Sequence, residues 1–215
     1  RTIFALLIAM LLRSIPRGSK LISAILFIPF VCSVIATSVM WKWVFDYNYG
    51  VLNDLMDIFG LPRVDWLHET ETAMGVIIVQ TVWGNLGFGI ILYTAAFAAI
   101  NRSYIEAAMI DGANRFDVFF RIYFPLCKPI IIYMMITTFT GVWNDITTPL
   151  LYLNNESQYT LALGIYNLFK GAPVPGKFPN VRMATGMYML VPCAIVFFIF
   201  QRQLIDGVQM GAVKG

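Results

Sequence analysis

The chain has 215 residues, 59% of them hydrophobic and 13% charged, about half the charge of a typical soluble domain. With aromatics at 15%, that balance excludes an ordinary water-soluble core and makes lipid the expected solvent. A net charge of +3 without any run of Lys or Arg argues against nucleic acid as a partner.

In chain order, the first apolar run is Thr2–Leu12. As a helix it reaches about 16 Å, against roughly 30 Å of hydrocarbon, so it is expected to be part of a truncated first span (1–12). Stretches free of Asp, Glu, Lys and Arg follow at Leu21–Trp41, Ala73–Ile100, Pro129–Asn144 (apolar again past Asp145 to Leu153) and Met183–Gln201. Each approaches the roughly 20 residues a spanning helix needs. Backbone polar groups in hydrocarbon must bond within their own segment, which favours helices. The alternating ten-residue strands of a β-barrel do not occur. The predicted fold class is therefore an all-α integral membrane protein, a polytopic helical bundle. One domain is expected over 1–215, with spans near 1–12, 21–41, 73–100, 128–152 and 183–201.

Loop charges suggest the orientation. Arg13, Arg17, Lys20, Arg102, Arg115, Arg121, Lys128, Arg202 and Lys214 fall on one side of such a bundle, and Lys42, Arg63, Lys170, Lys177 and Arg182 on the other. The positive-inside rule places loops 13–20 and 101–128 and the tail in the cytoplasm. Trp41, Trp43, Tyr47 and Tyr49 suit an interfacial belt at the outer end of the second span.

Cys32, Cys127 and Cys193 are scattered through apolar runs and read as buried small hydrophobes. With His68 as the only histidine, no metal site is expected. No carboxylate pair or Ser/His/Asp set appears, so no catalytic residue and no cofactor is expected. A phosphate-cradling GxxxxGK[ST] loop is also missing. The glycine cluster Gly84–Gly89 lies mid-span and reads as close helix packing.

Loop 101–127 is patterned like an ordered element. Asn101 or Ser103 suits a helix start, and Glu106 stands three residues after Ser103, as in a capping box. Ala107, Ala108 and Ala113 are small, and Gly112 carries no side chain to hold a partner off. Phe116–Phe124 leads to Pro125, and Pro125 and Pro129 mark the start of the next span.

The series Glu106-Ala107-Ala108, Gly112, Ile122 and Phe124-Pro125 resembles the EAA loop in permease subunits of binding-protein-dependent ABC importers. The longer form EAAMIDGA is similar to the carbohydrate-uptake branch, of the maltose and glycerol-phosphate type. Phe124 stands where that pattern has Leu. Trp143–Asp145 and the ending Gly211–Gly215 look like the second permease of such pairs, whereas Gly50–Leu67 looks like the first, so the subunit type stays open. The resemblance implies a type I importer permease fold in the cell (inner) membrane, with the loop and the C-terminus cytoplasmic. It implies that Glu106, Ala107, Ala108, Asp111, Gly112, Ala113, Ile122 and Pro125 form a coupling helix docked on an ATPase. Two ATPase subunits, a second permease chain (different or identical) and an extracytoplasmic solute-binding protein are the implied partners, with hydrolysis supplied in trans. In the maltose type a loop at 154–182 reaches the binding protein, which suggests Gly171, Pro173, Pro175 and Gly176 here. The family's tail approaches the ATPases, which extends to Gln209–Gly215.

Polar groups at membrane depth face protein or water. Gln80 and Asn85, with Asn144 and Asp145, are candidates for a solute pathway; interhelical hydrogen bonding is the rival reading. The expected cargo is a sugar, with a polyol or sugar phosphate as alternatives. No Arg or Lys within the complete runs favours a neutral solute. An ATP-independent channel or secondary carrier is the more distant reading.

Overall fold

A computed structural model describes residues 1–13, 15, 18–170 and 179–212, with 70, 115 and 204–212 described through their backbone alone. The described residues fold into helices and connecting turns, without strands. In order these are α1 (Thr2–Arg13), α2 (Ser19–Val31), α3 (Val34–Val44), α4 (Val51–Ile58), α5 (Thr70–Ala98), α6 (Arg102–Ile110) and α7 (Arg115–Val118). A π-helical segment, Phe119–Tyr123, leads into α8 (Phe124–Leu126), α9 (Lys128–Trp143), α10 (Thr147–Tyr152), α11 (Leu161–Lys170) and α12 (Pro179–Ala212).

Among the described residues, Glu71–Ala98 and Pro179–Gln203 are each long and apolar enough to cross a membrane. Two bent pairs, Ser19–Val31 with Val34–Val44 and Phe116–Leu126 with Lys128–Trp143, qualify when each pair is taken as one span; Thr2–Arg13 is shorter. The run expected as a single span over 21–41 is thus two helices. Pro29 lies inside α2 and offers no N–H to the preceding turn. The chain then passes through Ser33 in an extended conformation, with φ −59° and ψ 131°.

The run expected over 128–152 also breaks, between Trp143 and Thr147. There the Thr148 N–H donates to Asp145 Oδ1 at 3.1 Å, so the carboxylate satisfies one of the free amides that open α10.

By contact the chain separates into two compact units. One comprises residues 1–27, 86–139 and 193–215; the other comprises 28–85 and 140–192. The first has a core of Ala5, Ala9 and Leu12 from α1, Ile90, Tyr93 and Phe97 from α5, and Ile105, Phe119, Tyr123 and Met134. Lipid tails are as apolar as leucine, so contact within such a core depends on close fit rather than on escape from water. Gly87 supplies that fit: a Cβ there would overlap the Leu26 carbonyl and the Phe27 Cα. Gly84, in the same cluster, has nothing within 4 Å of its position. The packing role read from Gly84–Gly89 therefore falls on Gly87 and on Gly89, whose Cβ would come within 2.7 Å of that of Ala5.

The second unit is centred on Phe45, Leu67, Val76, Ile77, Tyr152 and Leu163. Tyr152 Oη donates to the Ser38 carbonyl at 3.0 Å, tying α10 to α3. Its connecting segment, 45–69, is built on Asn53, which is completely buried. The Asn53 amide donates to the Val64 carbonyl (2.9 Å) and accepts from the Val64 N–H and the Trp66 indole N–H, both at 3.1 Å. The Arg63 guanidinium binds Asp57 at 2.6 Å and Asp54 at 3.1 Å, and donates to the carbonyls of Tyr47 and Asn48. The two carboxylates, Asp57 first and then Asp54, raise the Arg63 pKa above its ordinary value.

Candidate functional site

The 101–127 loop is a helix–turn–helix held against the first unit. Asn101 caps α6: it is extended (φ −62°, ψ 130°), and its side chain accepts the Ser103 N–H at 3.1 Å. Ser103 is therefore already inside the helix, where it cannot form the expected capping box with Glu106. Ile105 is buried in the core and anchors the helix.

At the other end the Ala113 N–H bonds to the Ala108 carbonyl (2.9 Å) and the Gly112 N–H to that of Met109 (3.1 Å). This pair of bonds is the Schellman arrangement, and it needs a left-handed residue just past the helix. Gly112 supplies it with φ +82°. Two residues on, the reciprocal box does form, but at Asn114 and Asp117. Asn114 Oδ1 accepts the N–H groups of Phe116 (2.8 Å) and Asp117 (2.9 Å), and Asp117 Oδ2 accepts the Asn114 N–H at 3.3 Å. Asp117 also faces Arg121 at 3.5 Å.

The next turn is π-helical over Phe119–Tyr123. Pro125 follows, and Phe116–Leu126 meets α9 at a bend of 66°. The π segment turns Phe119 and Tyr123 into the core and leaves Phe120 outside. Arg13 braces it: its guanidinium lies 4.4 Å above the centre of the Tyr123 ring and donates to the Phe97 carbonyl at 3.3 Å.

The implied docking residues divide between two faces. Glu106, Ala107, Asp111 and Gly112 are exposed, as is Pro125; Ala108, Ala113 and Ile122 are half-buried and pack against the chain's own core. Glu106 also lines a cavity of ≈ 580 Å³ together with Arg13, Arg102, Met109 and Tyr123. Beside the Gly112 turn Ile110 is 86% and Phe116 73% exposed; Tyr104 near the start of α6, Met109 and Phe120 are exposed too. Ile110 and Phe116 are legible in the pattern as large apolar groups out of phase with the buried Ile105 and Val118, whereas Met109 is in phase with Ile105 and lines the same cavity.

The pathway candidates each have local partners. Gln80 is buried and its amide donates to Thr37 Oγ1 at 3.5 Å, while its carbonyl oxygen has no partner. Asn85 bonds back to the Thr81 carbonyl (2.9 Å), and Asn144 to that of Thr140 (2.8 Å). Asp145 is occupied at the start of α10. Gly171, Pro173, Pro175 and Gly176 lie outside the described residues, as does the end of the 209–215 tail.

Long apolar helices, a proline-bent span and a capped helix–turn–helix with an exposed apolar tip define a polytopic α-helical membrane protein. Comparison with known proteins makes this specific. The chain belongs to the family described as binding-protein-dependent transport system inner membrane component, whose model matches residues 2–209.

Among its relatives, the trehalose/maltose transport system permease protein of Thermococcus litoralis is 34% identical over 135 residues, 63% of this chain and 46% of the relative. A probable starch degradation products transport system permease protein of Thermoanaerobacterium thermosulfurigenes is 33% identical over 143 residues, 66% and 51% of the two chains. The sn-glycerol-3-phosphate transport system permease protein of Escherichia coli is 29% identical, over 66% of this chain and 48% of its own. The chain spans about half the length of these relatives. The fold is also that of a chain in the crystal structure of a bacterial alginate ABC transporter in complex with alginate pentasaccharide-bound periplasmic protein. The TM-score is 0.81 at 22% identity, covering 94% of this chain and 73% of the other. A second crystal structure of a bacterial ABC transporter, involved in import of the acidic polysaccharide alginate, gives 0.81 at 24% identity, covering 93% and 71%.

Proposed function

We propose that the chain is part of a permease subunit of an ATP-driven importer. The subunit forms the membrane pathway for a sugar or sugar-derived solute delivered by an extracytoplasmic binding protein. The single observation that carries this reading is the α6–turn–α7 element. Its caps fix its shape before any partner arrives, and its exposed tip carries Ile110 and Phe116 around Gly112. A preformed apolar tip with Glu106 and Asp111 at its rim suits a groove on a cytoplasmic ATPase. Two ATPase subunits and a second permease chain complete the assembly, with the 101–127 loop and the C-terminus in the cytoplasm.

The solute class rests on the relatives, whose names cite trehalose/maltose, starch degradation products and sn-glycerol-3-phosphate. Coupling needs a rigid lever with two positions. The π-helical turn over Phe119–Tyr123, pinned by Arg13, joins the docking helix to α9 and is that lever in this reading. Asn85, Asn144 and Asp145 supply amide and carboxylate groups for hydroxyls of the solute along the way, while Gln80, buried and bonded to Thr37, would reach the pathway only if that contact opened.

The experiment is co-purification of the full permease with its ATPase, and solute-stimulated ATP hydrolysis in proteoliposomes, for wild type, Glu106→Lys and Gly112→Trp. Loss of ATPase association in both variants, with the permease still inserted, is the expected result. Assembly and transport at wild-type rates in both would remove the coupling assignment.

A further inference from the structure

Helix α4 is amphipathic in the reverse sense of a helix on a water-soluble surface. One turn is about 3.6 residues, so positions 51, 55, 58 and 59 share one face and position 53 lies opposite. The side fixed to the protein is centred on a polar group: Asn53 is 0% exposed and hydrogen-bonded through both its amide nitrogen and its oxygen. Beside it Leu52 packs against the apolar core and Met56 is half-buried. The free side is apolar: Ile58 and Phe59 are each 77% exposed, and Val51 and Leu55 are exposed with them. A helix facing water would turn its large apolar groups inward and leave its amide outside. Such a helix belongs against a solvent that is itself apolar on one side.

The surroundings identify that solvent. The exposed side of α3 carries Ile35, Val39 and Trp43, followed by exposed Tyr47 and Tyr49 and then by the free face of α4. Trp and Tyr concentrate where hydrocarbon meets headgroups, so the apolar strip passes through an interfacial belt directly into α4. The acids on α4 do not point a cluster of bare charge at the headgroups. Asp54 and Asp57 are both bound by the single guanidinium of Arg63. Continuity with the apolar side of a membrane helix and this internal charge pairing select lipid over a charged protein groove as the occupant.

The geometry points to α4 as an interfacial anchor. It lies with Val51, Leu55, Ile58 and Phe59 in the headgroup–acyl boundary of the leaflet where α3 ends, and its ligand is the phospholipid surface itself. This rests on the reading of the chain as a membrane permease and adds to it a fixed depth for the 45–69 segment.

The test is site-directed spin labelling of the full permease complex in phosphatidylglycerol/phosphatidylethanolamine liposomes. Labels are placed at Ile58→Cys and Phe59→Cys after replacement of Cys32, Cys127 and Cys193. Asn154→Cys, in the exposed polar stretch 154–157, serves as the aqueous reference and Phe198→Cys as the hydrocarbon reference. Collision with oxygen and with a water-soluble nickel chelate reports depth. The expected result is that both α4 labels read between the references, at least threefold less accessible to the chelate than position 154. Labels that match position 154, or that are shielded from both reagents because protein covers them, overturn the inference. A label at 198 that reads as aqueous would instead overturn the membrane placement of the chain. If the cysteine-free background fails to assemble, a benzoylphenylalanine at Phe59 in the native background gives the same decision. Its photoadduct is with phospholipid if the inference holds, and with a protein subunit, or absent, if it does not.

Discussion

Replacing Asn53 with Leu should loosen the whole 45–69 segment. The side chain is fully buried and makes three well-placed bonds at 2.9–3.1 Å, to both backbone groups of Val64 and to the Trp66 indole. Its two longer bonds, to the Asp46 and Tyr47 carbonyls at 3.4 and 3.3 Å, share the same donor and count for less. Leucine keeps the branched heavy-atom skeleton of asparagine, so the loss is chiefly polar, and the bulkier methyl groups add crowding to it. Each buried partner left unsatisfied costs about 1–3 kcal/mol. Val64 and Trp66 are half-buried and regain some water, so about 3 kcal/mol is a fair total. At about 1.4 kcal/mol per decade, local opening rises on the order of 100-fold. Hydrogen exchange with mass spectrometry on the purified complex reads this directly in peptides covering 46–67. Asn53→Asp should do no better, because it sets a carboxylate oxygen against the Val64 carbonyl that now accepts a bond. Protection within threefold of wild type in both variants would refute the assignment of Asn53 as the hub.

Three further outcomes follow from the same geometry. At position 112 a non-glycine residue pays about 1–2 kcal/mol for the left-handed backbone, so ATPase association should fall in the order Gly, Asn, Ala, Val; a flat series would show that the turn, with φ +82°, is not needed. In detergent melts, Gly87→Ala should destabilise strongly through overlap with Leu26. Gly84→Ala, with open space around it, should be neutral or gain up to about 1 kcal/mol from helix propensity. The Asp46 carboxylate accepts the Tyr49 and Asn48 amides, and these bonds hold its pKa below the ordinary 3.8. Its contribution is therefore present above the unfolded value and fades as pH falls through the lowered folded one. Exchange at the Asn48 and Tyr49 amides should follow intrinsic pH behaviour at neutrality and accelerate beyond it only in acid below about pH 4, and Asp46→Ala should abolish that step.

The parts that local chemistry decides were legible in the sequence. Runs long enough to span are helices, and Gly112 sits at a helix end because the Ala-rich run before it propagates and a glycine stops it. Misreadings arose where two local solutions compete. Asn101 and Ser103 both suit a cap; the structure uses Asn101, which strands Glu106 five residues away and moves the reciprocal box to Asn114 and Asp117. Composition also hid the break in the 21–41 run, since Pro29 and Ser33 leave it uncharged. What no window of sequence carries is pairing at a distance. Asn53 meets Val64 and Trp66, Gln80 meets Thr37, and Arg13 stacks on Tyr123. Each looked like an isolated polar letter until the fold supplied its partner.

The central claim is that the tip around Gly112 seats in an ATPase subunit. The most direct measurement is cross-linking from Ile110→Cys, the most exposed large residue of that tip, in the assembled transporter, with a short thiol-reactive reagent and mass spectrometry of the product. The account predicts an adduct with an ATPase subunit whose yield changes when ATP is bound. An intact, transport-competent complex that gives no ATPase adduct from position 110, with or without ATP, would contradict it.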